Sequence, residues 1–322
     1  MYEPFFGLKE RPFDLAPNPR FLYLTARQRE ALSNLRYGLN TERGLTLLLG
    51  DAGTGKTTLL QATLAQLDRT GVECVMLNNP TLTRSEFCEA VASGFALGPE
   101  SALSKTRFLA SLRERLELNH KEGRFSALVI DEAQSLPYEL LEEVRLLSNI
   151  ETPTRKLLNV ILAGQPELAE RLNEHGLRQL KQRISLRCEL GPFDMRDTAA
   201  YIAGRLRIAG GAPAQIFTRE AVTAVFEGST GLPRTINVIC DNALIGGFAA
   251  QVKPVPRAIV DEVIRDFDLR RGESSNFESR RMPGPGAPPV RQAAPPVIIP
   301  DGQIKPPDTS FTTLGLRKIS FF

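Results

Sequence analysis

The stretch GDAGTGKT, Gly50 to Thr57, sets three glycines, a lysine and two threonines between a run of leucines and the helix-forming stretch that follows. Glycines at these positions free the backbone to turn several N–H groups toward one point, which makes a concave anion site. A helix starting there adds its positive end. The spacing G-x-x-x-x-G-K-[ST] puts Lys56 at the β- and γ-phosphates of a nucleotide and Thr57 at a Mg²⁺ ion. Gly50, Asp51, Ala52, Gly53, Thr54, Gly55 and Thr58 complete the expected cradle.

A phosphate cradle binds but does not by itself hydrolyse. ALVIDEAQ, residues 127 to 134, supplies the second half: an apolar strand that ends in two adjacent carboxylates. In a parallel sheet the carboxyl ends of the strands face the ligand crevice. Asp131 is then placed to hold Mg²⁺, and Glu132 to orient and deprotonate a water aimed at the terminal phosphate. Gln165 follows another apolar run and is placed to donate to the γ-phosphate or to position the water; a plain turn residue before Pro166 is the alternative. Arg183 lies far along the chain and could reach a neighbouring subunit's nucleotide as an arginine finger, with Arg178 and Arg187 as competitors. Arg234, in GLPRTIN, opens a helix from which it could reach back to the phosphates.

These residues need elements to hold them. Five short apolar runs read as buried strands, at 45–49, 73–77, 126–130, 157–163 and 184–190, with helical patterns between them. Alternation of this kind gives βαβ crossovers, an α/β fold with a parallel sheet and helices on both faces. Thr25 reads as the N-cap of a helix that buries Leu32, Leu35 and Leu39. After Pro192 the strand signal stops and four helical stretches follow, at 196–210, 218–231, 233–251 and 256–268. The expected organisation is an extended N-terminal arm over 1–24, a P-loop ATPase core over 25–191, a small all-α lid domain over 192–269 and a tail over 270–322. The tail holds nine Pro and five Gly with little periodicity, a composition that predicts disorder.

Composition narrows the class further. The chain has 322 residues, 42% hydrophobic and 24% charged, with a net charge of +3. Residues 270–322 carry eight Lys/Arg against four Asp/Glu, which leaves 1–269 near neutrality. A near-neutral body gives no global argument for nucleic-acid binding. Cys74, Cys88, Cys188 and Cys240 are scattered without a CxxC pair and read as small buried hydrophobes, and His120 and His175 as solvated surface groups. The N-terminus lacks a secretory signal, and no stretch reaches the ~18–20 apolar residues that span a bilayer. The expectation is a cytoplasmic protein.

Taken together, the phosphate loop, LVIDEAQ, the polar residue after the fourth strand and GLPRTIN resemble an AAA+ ATPase. MYEPFFGLKERPFDLAPNPRFLYLT, LRYGL, DEAQSLP, EEVRLLSNIET, LAGQPEL and LKQRI are similar to the ExeA-like general secretion pathway protein A family, over roughly residues 1 to 268. The resemblance implies ATP and Mg²⁺ as ligands, a homo-oligomer, and ATP hydrolysis coupled to assembly or regulation of a type II secretion or type IV pilus-like envelope system. It also implies secretion or pilus assembly proteins as partners, which could recruit the chain to the inner membrane. Larger members continue into a membrane segment and a peptidoglycan-binding domain, neither of which is read in this sequence. The family is similar as well to DNA-binding ATPases of transposition or replication, which supplies an alternative reading. LRQLKQRISLR is locally basic, but no basic stripe stands out. A non-enzymatic nucleotide switch is a third reading, against which the pair Asp131 and Glu132 argues.

Overall fold

The computed structural model describes residues 1–16, 18–41, 44–67, 71–78 and 81–268. The tail expected over 270–322 lies outside them. Five parallel strands, β1 (Leu45–Gly50), β2 (Val72–Leu77), β3 (Phe125–Ile130), β4 (Asn159–Gly164) and β5 (Ile184–Leu190), form one sheet in the order β2-β3-β4-β1-β5. All five match the apolar runs of the sequence to within two residues. The central strands β1 and β4 are buried at every position, as strands covered on both faces must be. The edge strands β2 and β5 keep partly exposed positions.

Alternation inside these continuous apolar runs assigns the two faces. Leu47, Leu49, Leu128, Ile130, Val160 and Leu162 point into one core. Helices α4 (Arg84–Gly94), α5 (Lys105–Lys121), α6 (Tyr138–Leu147), α7 (Pro166–Arg171) and α8 (Arg178–Lys181) flank it. Leu48, Ala127, Val129, Ile161 and Ala163 point the other way, against α2 (Ala26–Asn40) and α3 (Lys56–Leu67). Thr25 caps α2 in a reciprocal box: its hydroxyl accepts from the Gln28 N–H, and the Gln28 side chain accepts from the Thr25 N–H.

The helical C-terminal part comprises α9 (Met195–Ile208), the short α10 (Pro213–Ile216), α11 (Arg219–Ser229), α12 (Pro233–Ala249) and α13 (Arg257–Asp266). The four expected helices are present, and α10 is an addition made by the Pro213 turn. The arm differs from the expectation of an extended segment. It opens with a helical turn, α1 (Glu3–Phe6), that stops at Gly7 with φ +72°. Tyr2, Phe6, Leu8, Phe13 and Phe21 are buried in the same core as the lid residues Tyr201, Ile202, Leu206 and Leu244. Apolar side chains this dense cannot remain in water; the lid helices supply the surface that covers them. Polar contacts fix the arm's register: Tyr2 donates to Asp241, and the Lys9 N–H to the Ala209 carbonyl at 2.8 Å.

Candidate nucleotide site

The loop between β1 and α3 is built on its own backbone. The Thr54 N–H and hydroxyl both donate to the Asp51 carbonyl. Gly53 and Gly55 adopt φ +82° and +94°, a region that side chains with a Cβ rarely enter. A Cβ on Gly50 would sit 2.8 Å from the Leu190 carbonyl and from the Thr54 hydroxyl.

Lys56 is 4% exposed, and its ammonium donates to the carbonyls of Gly50 at 2.7 Å and Asp51 at 3.1 Å. Burial pushes its pKa below the ordinary lysine range, and the carboxylates of Glu132, Asp131 and Asp51 oppose that shift. A buried cation with no direct ion pair is a site for an anion. Next along α3, the Thr57 hydroxyl donates to Asp131 Oδ2 at 2.5 Å. Asp131 is 3% exposed, and its Oδ1 accepts from the Glu132 N–H at 2.9 Å. A hydroxyl beside one carboxylate, with phosphate oxygens and water completing the shell, fits the oxygen-donor demand of Mg²⁺. No group of three or more His, Cys, Asp or Glu that could hold a metal occurs among the described residues. Glu132 itself takes a left-handed conformation, φ +53° and ψ +36°.

Gly53, Thr54, Gly55, Lys56, Thr57, Thr58, Glu132 and Arg234 line one cavity of about 370 Å³. Gly50 and Asp51 contribute carbonyls beneath it, and Ala52 is an exposed residue of the loop. Arg234 opens α12, where its N–H donates to the Gly53 carbonyl at 3.3 Å, so lid and loop touch directly. Gln165 caps α7 at the end of β4, the strand between β1 and β3, and its N–H donates to Gln134 Oε1. Arg183 stands apart. It precedes Ile184, which pairs with Leu45 at the start of β1, whereas the loop follows Gly50, which pairs with Leu190. At ~3.3 Å per residue those ends are roughly 20 Å apart, beyond the reach of Arg183 to its own loop. Arg178 lies at the start of α8, and Arg187 faces Glu189 on the exposed side of β5.

Sequence reasoning missed the other half of the cavity. Leu22, Tyr23 and Leu24 of the arm, Gln28 of α2, and Tyr201, Arg205 and Asn237 of the lid all line it. Arg205 is buried without a carboxylate partner among the contacts it makes. It donates to the Pro12 carbonyl and to the Tyr201 hydroxyl, and lies 4.9 Å from the Phe21 ring centroid. Tyr201 in turn donates to Asn237 at 2.9 Å, and burial pushes its phenol upward. The cavity thus joins a polyanion cradle to an aromatic-walled compartment, the two chemistries of a nucleotide. The one available signal was the arm's aromatic density, which reads as packing until the lid is seen against it.

Residues 39–172 match the family model of an AAA domain. Over 249 residues the chain is 43% identical to General secretion pathway protein A of Aeromonas hydrophila, a match that covers 77% of this chain and 45% of that protein. The chain therefore spans about half the length of the curated relative it matches. Among solved structures, it is similar to the Aeropyrum pernix ORC2 protein in ADPNP–ADP complexes, with TM-score 0.61 and 17% identity over 80% of this chain and 72% of that one. Drosophila ORC bound to DNA gives TM-score 0.60 and 20% identity, over 80% and 64%. The Thermotoga maritima RuvB Holliday junction branch migration motor gives 0.51 and 16%, over 74% and 68%. At these identities the likeness is one of fold.

Proposed function

Since this chain belongs to the AAA+ P-loop ATPases and is a relative of general secretion pathway protein A, we propose that it hydrolyses ATP to drive assembly or regulation of a type II secretion or type IV pilus-like envelope system. The observation that carries the hydrolytic part is the Thr57–Asp131 hydrogen bond, which joins the loop to the end of β3 and brings Glu132 to the same cavity as Lys56. The envelope part rests on the relationship to general secretion pathway protein A.

In this reading the loop amides and Lys56 bind the β- and γ-phosphates. Thr57 and Asp131 would hold Mg²⁺, which when bound supplies positive charge to the phosphate oxygens. Glu132 accepts a proton from the attacking water. Arg234 reports the nucleotide to the lid, through the helix that already contacts Gly53. Arg183 acts on the nucleotide of a neighbouring subunit, because its own loop is out of reach; an oligomer follows from that. Trans-acting arginines contribute ~10³ to 10⁵ in rate in the systems where they are measured. No helix among the described residues is long and apolar enough to cross a membrane, so recruitment to an envelope would fall to a partner or to residues outside them. A DNA-binding role has no comparable support, since Drosophila ORC bound to DNA shares only the fold with this chain.

The test is Glu132→Gln. It should bind ATP as the parent does, while phosphate release falls by about 10² or more, in the range set by loss of a general base. Turnover at the parental rate in that variant rejects the assignment.

A further inference from the structure

Glu132 would not hold its position unaided. Its left-handed conformation is costly for a residue with a Cβ and persists only where neighbours over-determine it. One restraint is the bond from its own N–H to Asp131 Oδ1. The other comes from Gln134, whose Nε2 donates to Glu132 Oε2 at 2.6 Å. The orientation of that amide is settled by its second bond. Gln134 Oε1 accepts from the Gln165 N–H at 3.1 Å, and a peptide N–H can only donate, so the NH₂ group must face the carboxylate.

The turn around Gln134 is shaped for this contact. Gly164 ends β4 beside it, and a Cβ there would come within 2.9 Å of Gln134 Oε1 and 2.8 Å of Leu168 Cδ2. Arg171 of α7 donates to the Gln134 carbonyl. Side chain and main chain of Gln134 are thus both anchored to the β4–α7 junction.

We infer that Gln134 is a positioning residue that fixes the carboxylate of Glu132 and ties it to the end of β4. The inference rests on the hydrolytic reading of Glu132. Occupying Oε2 leaves Oε1 as the acceptor for the water. Because the tie ends on the Gln165 main chain, a shift of that residue is passed through two hydrogen bonds to the base. Gln134 is not among the residues that line the cavity, whereas Glu132 is; it acts through Glu132.

The experiment compares kcat and ATP Kd in the parent, Gln134→Ala, Gln134→Glu, Glu132→Gln and the double variant Gln134→Ala with Glu132→Gln, with a melting curve for each. Gln134→Glu keeps the acceptor for the Gln165 N–H and the shape of the side chain, and sets a carboxylate oxygen against Glu132 where the donor had been. Both Gln134 variants should retain ATP affinity and lose kcat by about tenfold or more, the scale of a misplaced reacting group. Adding Gln134→Ala to Glu132→Gln should cost nothing further, because a residue that acts through another has no effect once that one is gone. Parental kcat in Gln134→Glu overturns the inference. So does a loss carried by Kd with kcat intact, or an equal loss in the parental and Glu132→Gln backgrounds. If the parent and Glu132→Gln turn over alike, the hydrolytic reading of Glu132 falls and takes this inference with it. A loss in Glu132→Gln beside an intact Gln134→Glu removes the inference alone.

Discussion

An ammonium taken out of water costs several kcal/mol unless something compensates it. At Lys56 the compensation is two main-chain carbonyls and nearby carboxylates, none in a direct ion pair with it. The identity of this residue, and of Thr57, Asp131 and Glu132, was legible from spacing, because their chemistry demands those types behind a strand. The conformation of Glu132 was not, since a left-handed residue outside glycine leaves no mark in composition. Gln134 was missed for a related reason: its role depends on a backbone N–H 31 residues away. Gly53 offers a test at this scale. Its φ of +82° and the 3.0 Å that a Cβ would leave to Arg234 Cβ make alanine strained there. Gly53→Ala should weaken ATP binding about tenfold, matching the ~1–2 kcal/mol of a left-handed alanine, as measured by titration with a fluorescent nucleotide.

Elements follow from patterns that neighbouring residues share. The five strands were readable because parallel strands buried on both faces are continuous apolar runs. Their order was not, since nothing local tells β4 to insert between β1 and β3. Helix α6 shows the limit. Leu140 and Val144 face inward as their spacing predicts, but Glu143 is buried with them at 2% exposure. It is held there by Lys105 at 2.8 Å and by Arg84, from α5 and α4. Cations from two other helices let this carboxylate stay buried. Helix α2 is the better-read case, its start fixed by Thr25. Thr25→Ala should lower unfolding stability by about 1 kcal/mol in denaturant titration, the usual cost of a lost cap. The same variant should also loosen Gln28, which lines the cavity, and weaken nucleotide affinity.

For the whole molecule the decisive feature is the union of arm and lid. Phe13 is buried against that shared core and meets Phe217 edge-on at 6.5 Å. Phe13→Ala should cost about 3–5 kcal/mol by chemical denaturation. The same variant should also impair ATP binding, since residues 14–16 and 21–24 of the arm wall the cavity. Arg183, at the far end of the sheet, calls for a different measurement. Arg183→Ala should bind ATP normally and lose at least ~10³ in turnover at protein concentrations where the parent's specific activity has risen with concentration. A parent whose specific activity does not vary with concentration would refute the trans assignment.

The sequence by itself determined the loop after β1, the two carboxylates after β3, the five strands and the helices of the C-terminal part. Each of these is written in contiguous residues, where a spacing or an apolar period is enough. Only the tertiary structure decided that the arm packs into the lid's core, that Arg183 stands away from its own loop, and that Glu132 is tied through Gln134 to β4. Those facts join residues tens to hundreds of positions apart, and they are set by which surfaces must be buried together, a quantity no local pattern carries.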